Sequence, residues 1–244
     1  LLNLISFIKF DILNISSFPN KVIKGSNGWF YHQKYIHVYN AKRKFTEEEL
    51  INFKIMADER LKWCRERGID LYFAVIPVST SIYPEYLPRY VRQYNDENWT
   101  DQFINYLTKN SEVEILDLRK VLLDAKKQYP YRTFYKTDEH WNKFGALVSV
   151  KHFIEKIREK HPNVKAFDFN DYRIDSTIIN GMGLVKIFLK SEEIKETVLE
   201  PKFRKQKNNI EVKNIGYKKP KRLPKQYRFE IPRENPCSGN DLKI

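Results

Sequence analysis

Cysteine is nearly absent from this chain of 244 residues, which contains two, Cys64 and Cys237. Two thiols cannot build a disulfide scaffold or a four-cysteine zinc module. Glycine (8) and proline (11) are too few for a fibrous or low-complexity protein. No apolar run reaches the roughly 20 positions that a membrane-spanning helix needs, and no internal repeat is visible. Acids are short as well: 31 Asp and Glu stand against 44 Lys and Arg, a formal charge of +13. Such an excess would suit a nucleic-acid binder if it were spread over the fold. It is not. Between Pro201 and Arg228 eleven basic residues face one acid, Glu211, so that segment carries +10 and the remainder about +3. What the sequence does hold is apolar material. At 41% hydrophobic and 14% aromatic it is not a wholly disordered chain.

Residues 1–19 are read as an N-terminal apolar segment, and 20–244 as one partial domain that includes the basic segment 201–228. Leu1–Phe10 is apolar but short, without an initiator Met or a basic leader. A signal or anchor remnant and an amphipathic first helix fit it equally. At the other end, Asn235–Asp241 has turn composition and Leu242–Ile244 reads as the opening of a strand. A fragment is therefore expected.

Between the ends, Gly25-Ser26-Asn27-Gly28 predicts a tight turn, with Trp29-Phe30-Tyr31 as a strand after it. Thr46 followed by Glu47, Glu48 and Glu49 predicts a capped helix start. Leu50, Phe53, Ala57, Leu61 and Cys64 recur at helical spacing as one buried face, and Arg67-Gly68 ends the helix. Ile69–Ile76 is a near-continuous apolar run, predicting a strand buried on both faces. A proline-rich loop, Pro77–Pro88, follows. Asn98–Lys109 is predicted helical, Val113–Leu116 a second short strand with Asp117 at its carboxyl end, and Arg119–Gln128 a helix. Trp141–Glu159 is predicted as a long helix with Phe144, Val148 and Ile154 facing the core. Beyond Lys160 the pattern weakens, apart from a small helical piece beginning at Gly181-Met182-Gly183. This strand–helix alternation predicts an α/β fold with a mostly parallel sheet.

The sharpest local feature is Tyr135–Asn142, YKTDEHWN. Asp138 and His140 lie two residues apart where a loop enters a helix. A carboxylate beside a histidine can orient the ring and leave its other nitrogen to take a proton from a nucleophile. The plainer reading is that Thr137 or Asp138 is the helix N-cap, with Glu139 in the first turn. On spacing alone both stand, and caps are the commoner of the two. A metal site is disfavoured, because no second His or Cys cluster accompanies this pair.

The octet together with Phe144-Gly145-Ala146 resembles the D-x-H-W motif of the AlgX/AlgJ family. These are SGNH-hydrolase-like proteins that O-acetylate alginate and related exopolysaccharides. Gly25–Tyr31 is similar to the family's opening turn, Ile82–Pro88 to its YPEYLP loop, and Gly181-Met182-Gly183-Leu184 to its GMGDLA segment. This chain has Leu184 where the family usually has Asp. The resemblance implies an SGNH-like three-layer α/β/α sandwich, circularly permuted and here truncated at its C-terminus. Asp138 and His140 match the family's catalytic acid and base. The family's serine follows later, in a G/H-D-S-F motif not found in these residues, and is expected beyond this chain. Ser79, Ser81 and Ser238 are read as cap or turn residues instead. Tyr83, Tyr86, Tyr131, Tyr135 and Trp141 lie near the implied cleft. Packing is the expected role of most of them, with Tyr135 and Trp141 as the candidate substrate-binding residues.

The resemblance also implies no metal and no cofactor. Its implied partners are an exopolysaccharide acceptor, alginate-like or capsular, and an acetyl donor supplied by a membrane-bound acyltransferase. Its implied location is periplasmic or otherwise extracytoplasmic, in association with a membrane. Two alternatives remain. One is a carbohydrate esterase or deacetylase with water as acceptor. The other is a non-catalytic binder of polysaccharide built around residues 201–228. Nucleic acid is not expected, since that segment lacks a reading module and its aromatics are sparse.

Overall fold

The computed structural model describes residues 8–12, 15–188 and 192–204, which fall, Arg204 apart, in one compact unit spanning Leu1–Phe203. At its centre two strands, β3 (Tyr72–Val75) and β4 (Glu114–Asp117), pair in parallel with Tyr72 opposite Glu114 and Val75 opposite Asp117. Helices cover both faces. On one, α2 (Glu47–Arg65) and α4 (Trp99–Asn110) bury Ala57, Leu61 and Leu107 against Val113, Phe73 and Ile115. On the other, Tyr72 meets Phe153 of α6 (Lys143–Lys160), their ring centroids 5.7 Å apart. This α/β layering agrees with the fold class read from the alternation. Of a parallel sheet, the described residues contain this one pair.

The helices start where their chemistry dictates. Thr46 Oγ1 accepts the Glu49 N–H (3.2 Å) while the Glu49 carboxylate accepts the Thr46 N–H (2.9 Å), a reciprocal box that satisfies two otherwise orphaned donors. Asn98 and Asp101 repeat the arrangement at the start of α4. The turn after α2 needs a left-handed residue, and Gly68 supplies it at φ +65°. Asp117 ends β4 and caps α5 (Leu118–Gln128), accepting from the Arg119 N–H at 3.0 Å. The Arg119 guanidinium also binds both Asp117 oxygens and Asp101, fastening α4 to α5.

Two antiparallel pairs flank this centre. β1 (Val22–Lys24) and β2 (Phe30–His32) form a hairpin through Asn27 (φ 52°) and Gly28 (φ 76°). β2 leads directly into α1 (Gln33–Asn40). β5 (Tyr172–Asn180) and β6 (Lys195–Phe203) pair over nine residues each. Between them lies α7 (Gly183–Lys186), and the one-turn α3 (Ser79–Ile82) follows β3. The main core gathers Trp29, Tyr31, Ile36, Ile82, Tyr83, Leu118, Leu122 and Phe134.

Several expectations are corrected. The strand foreseen over Ile69–Ile76 is shorter and half-buried, with Ile76 52% exposed. Among the described residues β3 has one hydrogen-bonded neighbour, so no second strand shields its far edge. The second strand runs one residue later than Val113–Leu116. The helix foreseen from Trp141 begins at Lys143, because the Asn142 side chain caps it by accepting the Gly145 N–H at 2.9 Å. The β5–β6 hairpin was not foreseen. The proposed N-terminal segment is described only in part, from Ile8 to Ile12 and from Ile15. Of the basic segment 201–228, residues 201–204 are described, Pro201–Phe203 as the end of β6; the rest lies outside the described residues, as do Cys237, Ser238 and Leu242–Ile244. Among the described residues no helix is long and apolar enough to cross a membrane.

Ion pairs join the end of α6 to the parallel strands. Glu114 binds Lys156 (2.9 Å) and Lys160 (3.3 Å), and Asp70 binds His161 (2.6 Å). The Glu114 carboxyl is held below its ordinary value first by the hydrogen bond from Lys156, and Asp70 first by that from His161. A carboxyl whose pKa is depressed by folding takes up its proton more readily in the unfolded chain. The stability it contributes is therefore complete above the ordinary values of 4.5 and 3.8 and is lost as pH falls through the lower folded values. Each half-exposed pair contributes about 0–1 kcal/mol. The melting temperature should accordingly fall on acidification below those values, and Glu114→Gln should make that fall shallower while lowering the neutral-pH midpoint slightly. An identical acid slope in the variant would remove Glu114 from this account. A larger effect is expected at Gly145, where an added Cβ would stand 2.2 Å from the Thr133 carbonyl oxygen. Gly145→Ala should destabilise by about 1–3 kcal/mol, read as a lower denaturant midpoint at unchanged slope.

Candidate active site

The segment following α5 doubles back on itself. The Asn142 N–H donates to the Thr133 carbonyl (2.9 Å), Phe134 bridges Trp141 in antiparallel fashion, and the Tyr135 N–H reaches the His140 carbonyl (3.3 Å). Residues 135–140 are thereby closed into a loop. Its base is fixed by Asn142, whose amide also donates to the Arg132 carbonyl at 2.6 Å. With Asn142 as the α6 cap, neither Thr137 nor Asp138 has that role, and the plainer reading of the pair is set aside.

Asp138 is instead the hub of the loop. Its Oδ1 accepts the His140 backbone N–H (3.1 Å) and lies 2.5 Å from His140 Nδ1. Its Oδ2 accepts the Gly183 N–H at 3.2 Å. The approach is close enough that a Cβ on Gly183 would sit 2.9 Å from that oxygen. The two side chains differ in exposure, Asp138 at 13% and His140 at 72%. The carboxylate is thus shielded and fixed, and the imidazole projects outward with Nε2 unengaged by any of the described residues. Beside Asp138 an open depression is walled by Asn180, Gly181, Met182, Gly183 and Lys186.

Thr137, at 1% exposure, ties the loop to the rest of the fold. Its Oγ1 accepts the Met182 N–H (3.0 Å) and its carbonyl accepts the Leu184 N–H (3.1 Å). The Phe30 N–H donates to the Lys136 carbonyl (2.8 Å), and Lys136 Nζ to the Asn27 carbonyl (2.8 Å). Burial, reinforced by Arg132, holds the Lys136 ammonium below its ordinary pKa. Leu184, where Asp was expected, is buried with Val22, Phe30 and Val185. That position faces an apolar cluster in this chain.

Of the aromatic candidates, Tyr83 and Tyr86 stack on Trp29 at 4.4 and 5.3 Å, and Tyr131 packs edge-on against Phe144. Tyr135 and Trp141 are half-buried at the base of the loop, Trp141 against the main core. Burial raises the Tyr135 phenol pKa. Ser79 is buried in the first turn of α3, Ser81 is half-buried in the same turn, and neither hydroxyl hydrogen-bonds His140. Among the described residues no group of three His, Cys, Asp or Glu side chains is placed to hold a metal ion. Sequence reasoning missed Glu196, a 4%-exposed carboxylate on β6 that accepts from the N–H groups of Lys136 and Thr137. Its one signal is alternation: Glu196 and Val198 are the inward positions of β6.

The fold recurs in solved structures. PatB1 of Bacillus cereus, determined with a sulfonyl adduct, aligns over 75% of this chain and 55% of its own at 18% identity and TM-score 0.53. The O-acetyltransferase domain of Pseudomonas putida AlgJ aligns over 75% and 65% at 19% identity and TM-score 0.53. A DHHW family protein from Eubacterium siraeum aligns over 75% and 54% at 18% identity and TM-score 0.50. These likenesses establish a shared fold, and the chain spans between half and two thirds of the length of those structures. No curated protein matches. The family model for the SGNH hydrolase-like domain of the acetyltransferase AlgX matches residues 22–214. Because that match takes in the hairpin, the D-x-H-W loop and the Gly181–Gly183 turn, the chain belongs to the AlgX family of SGNH hydrolase-like domains.

Proposed function

We propose that this domain serves a polysaccharide O-acetyltransferase in which His140 is the general base and Asp138 its orienting acid. One observation carries the reading. Asp138 engages Nδ1 of His140 at 2.5 Å and is itself pinned by the Gly183 N–H, while the ring faces solvent. A carboxylate on Nδ1 fixes the tautomer that leaves Nε2 as the acceptor, and it stabilises the imidazolium formed when Nε2 takes a proton. Family membership supports the acyl-transfer chemistry.

The nucleophile is a serine from the part of the protein that the described residues do not include. In the first half-reaction its Oγ attacks the acetyl carbonyl carbon as His140 Nε2 accepts the hydroxyl proton. The tetrahedral intermediate collapses, His140 returns that proton to the leaving group, and an acetyl-serine remains. In the second, Nε2 removes the proton of a sugar hydroxyl, whose oxygen attacks the acetyl carbon. Collapse releases the serine oxygen, which recovers the proton from His140. Transfer prevails over hydrolysis when the sugar is held in better attacking geometry than water. Tyr135 and Trp141, at the base of the same loop, are the proposed sugar contacts. The acceptor is an exopolysaccharide of alginate-like or capsular type, outside the cytoplasm, and a membrane-bound acyltransferase supplies the acetyl group.

In the full-length protein, His140→Ala should reduce acetyl transfer from p-nitrophenyl acetate to an oligosaccharide by about 10³-fold or more, because a triad acts as a unit. Its melting temperature should stay unchanged, since the ring is exposed. Transfer retained in that variant would overturn the assignment. Free acetate as the sole product whether or not sugar is present would favour an esterase.

A further inference from the structure

We infer that Glu196 is a positioning residue for the Asp138–His140 pair, acting through the backbone of the loop that carries them. The inference rests on the catalytic reading of that pair given above. The Glu196 side chain comes from β6, 59 positions from Thr137, and reaches the backbone of the loop. Its Oε1 accepts from the Lys136 N–H (2.6 Å) and from Arg132 Nη2 (3.3 Å). Its Oε2 accepts from the Thr137 N–H (3.0 Å) and from Thr137 Oγ1 (2.6 Å). Four donors thus converge on two oxygens at 4% exposure, and among the described residues neither backbone N–H has another acceptor.

The consequence for Asp138 is geometric. Glu196 fixes the peptide planes on both sides of Lys136, and Asp138 is the residue that follows Thr137. With its O–H donating to Glu196, Thr137 Oγ1 keeps its lone pairs to accept the Met182 N–H (3.0 Å). That bond sets the position of the neighbouring Gly183 N–H, which pins Asp138 Oδ2 (3.2 Å). The backbone that carries Asp138 and the N–H that pins its Oδ2 therefore both depend on one side chain that touches neither Asp138 nor His140. An amide cannot substitute fully. Glu196→Gln would turn an NH₂ group toward either the Lys136 or the Thr137 N–H, donor against donor, and lose at least one of the four bonds.

The test compares Glu196→Ala and Glu196→Gln with the unaltered full-length protein. One readout is amide hydrogen exchange, followed at His140 and Gly183, the two N–H groups that Asp138 accepts. The other is the kcat and KM of acetyl transfer from p-nitrophenyl acetate. Exchange at both amides should accelerate at least tenfold in Glu196→Ala while amides within α2 and α6 keep their protection. A displacement of this kind should lower kcat by about 10²-fold with KM within about twofold, and Glu196→Gln should fall between. If Glu196→Ala fails to fold, the volume-conserving Gln variant carries the comparison. Unchanged exchange at His140 and Gly183 in both variants would overturn the inference. So would an acceleration spread evenly over the whole fold with kcat per folded molecule intact. An active His140→Ala would instead refute the catalytic reading, and the amide exchange would still report whether Glu196 orders the loop.

Discussion

A loop that turns its backbone N–H groups inward must find acceptors for them, because a buried unpaired donor costs about 1–3 kcal/mol. For Lys136 and Thr137 the need is met by one carboxylate, Glu196, brought in by a distant strand. This constraint orders the rest of the site. With the Lys136 and Thr137 peptides satisfied, Thr137 is free to bind the Met182 turn, and that turn presents the Gly183 N–H to Asp138. The Asp138–His140 pair is the outer end of a buried polar network. Such networks rigidify as their members are satisfied, and here all four carboxylate contacts of Glu196 are made.

Four sequence segments distant from one another meet around this network. Tyr31 Oη donates to the Tyr83 carbonyl at 2.6 Å, and its burial holds the phenol protonated well above its ordinary range. Trp29 stacks on Tyr83 and Tyr86, joining the first hairpin to the loop after α3. The Ser26 N–H reaches the Tyr86 carbonyl (2.8 Å), and Gly25 allows that approach, since a Cβ there would stand 2.4 Å from the same oxygen. The hairpin then holds the Lys136 carbonyl through Phe30. The motifs that carry the family resemblance are thus contacts of one another. Their function is to hold the D-x-H-W loop at the edge of the fold with its histidine outward.

Much of this was legible in the sequence, and the rest was hidden for physical reasons. Thr46 with Glu49, the Ala57–Leu61–Cys64 face and Asp117 at a strand end are local signals, and each element formed where such signals place it. Asp138 and His140 stood out because two residues of the right chemistry lie two positions apart in the chain. Their geometry did not, because the choice between cap and dyad turned on Asn142, which took the cap. Glu196 was hidden for the opposite reason: its partners lie across the fold, and beyond the alternation of β6 nothing local sets it apart from Glu200 in the same strand. The β5–β6 hairpin escaped notice because both strands leave one face exposed, with Ile178 at 70% and Phe203 at 60%. The apolar run Ile69–Ile76 misled in the other direction, since hydrophobicity reports what can be buried and not how many neighbours a strand has.

The central claim is that Asp138 dictates the tautomer of His140 and leaves Nε2 as the base. In water the neutral imidazole of histidine favours the proton on Nε2, so the claim runs against the intrinsic preference. Long-range ¹H–¹⁵N correlation spectra of the histidine-labelled protein distinguish the two forms directly. In its neutral form His140 should show a protonated Nδ1 and an acceptor-type Nε2, and Asp138→Ala should return it to the solution preference. A protonated Nε2 in the unaltered protein would contradict the account.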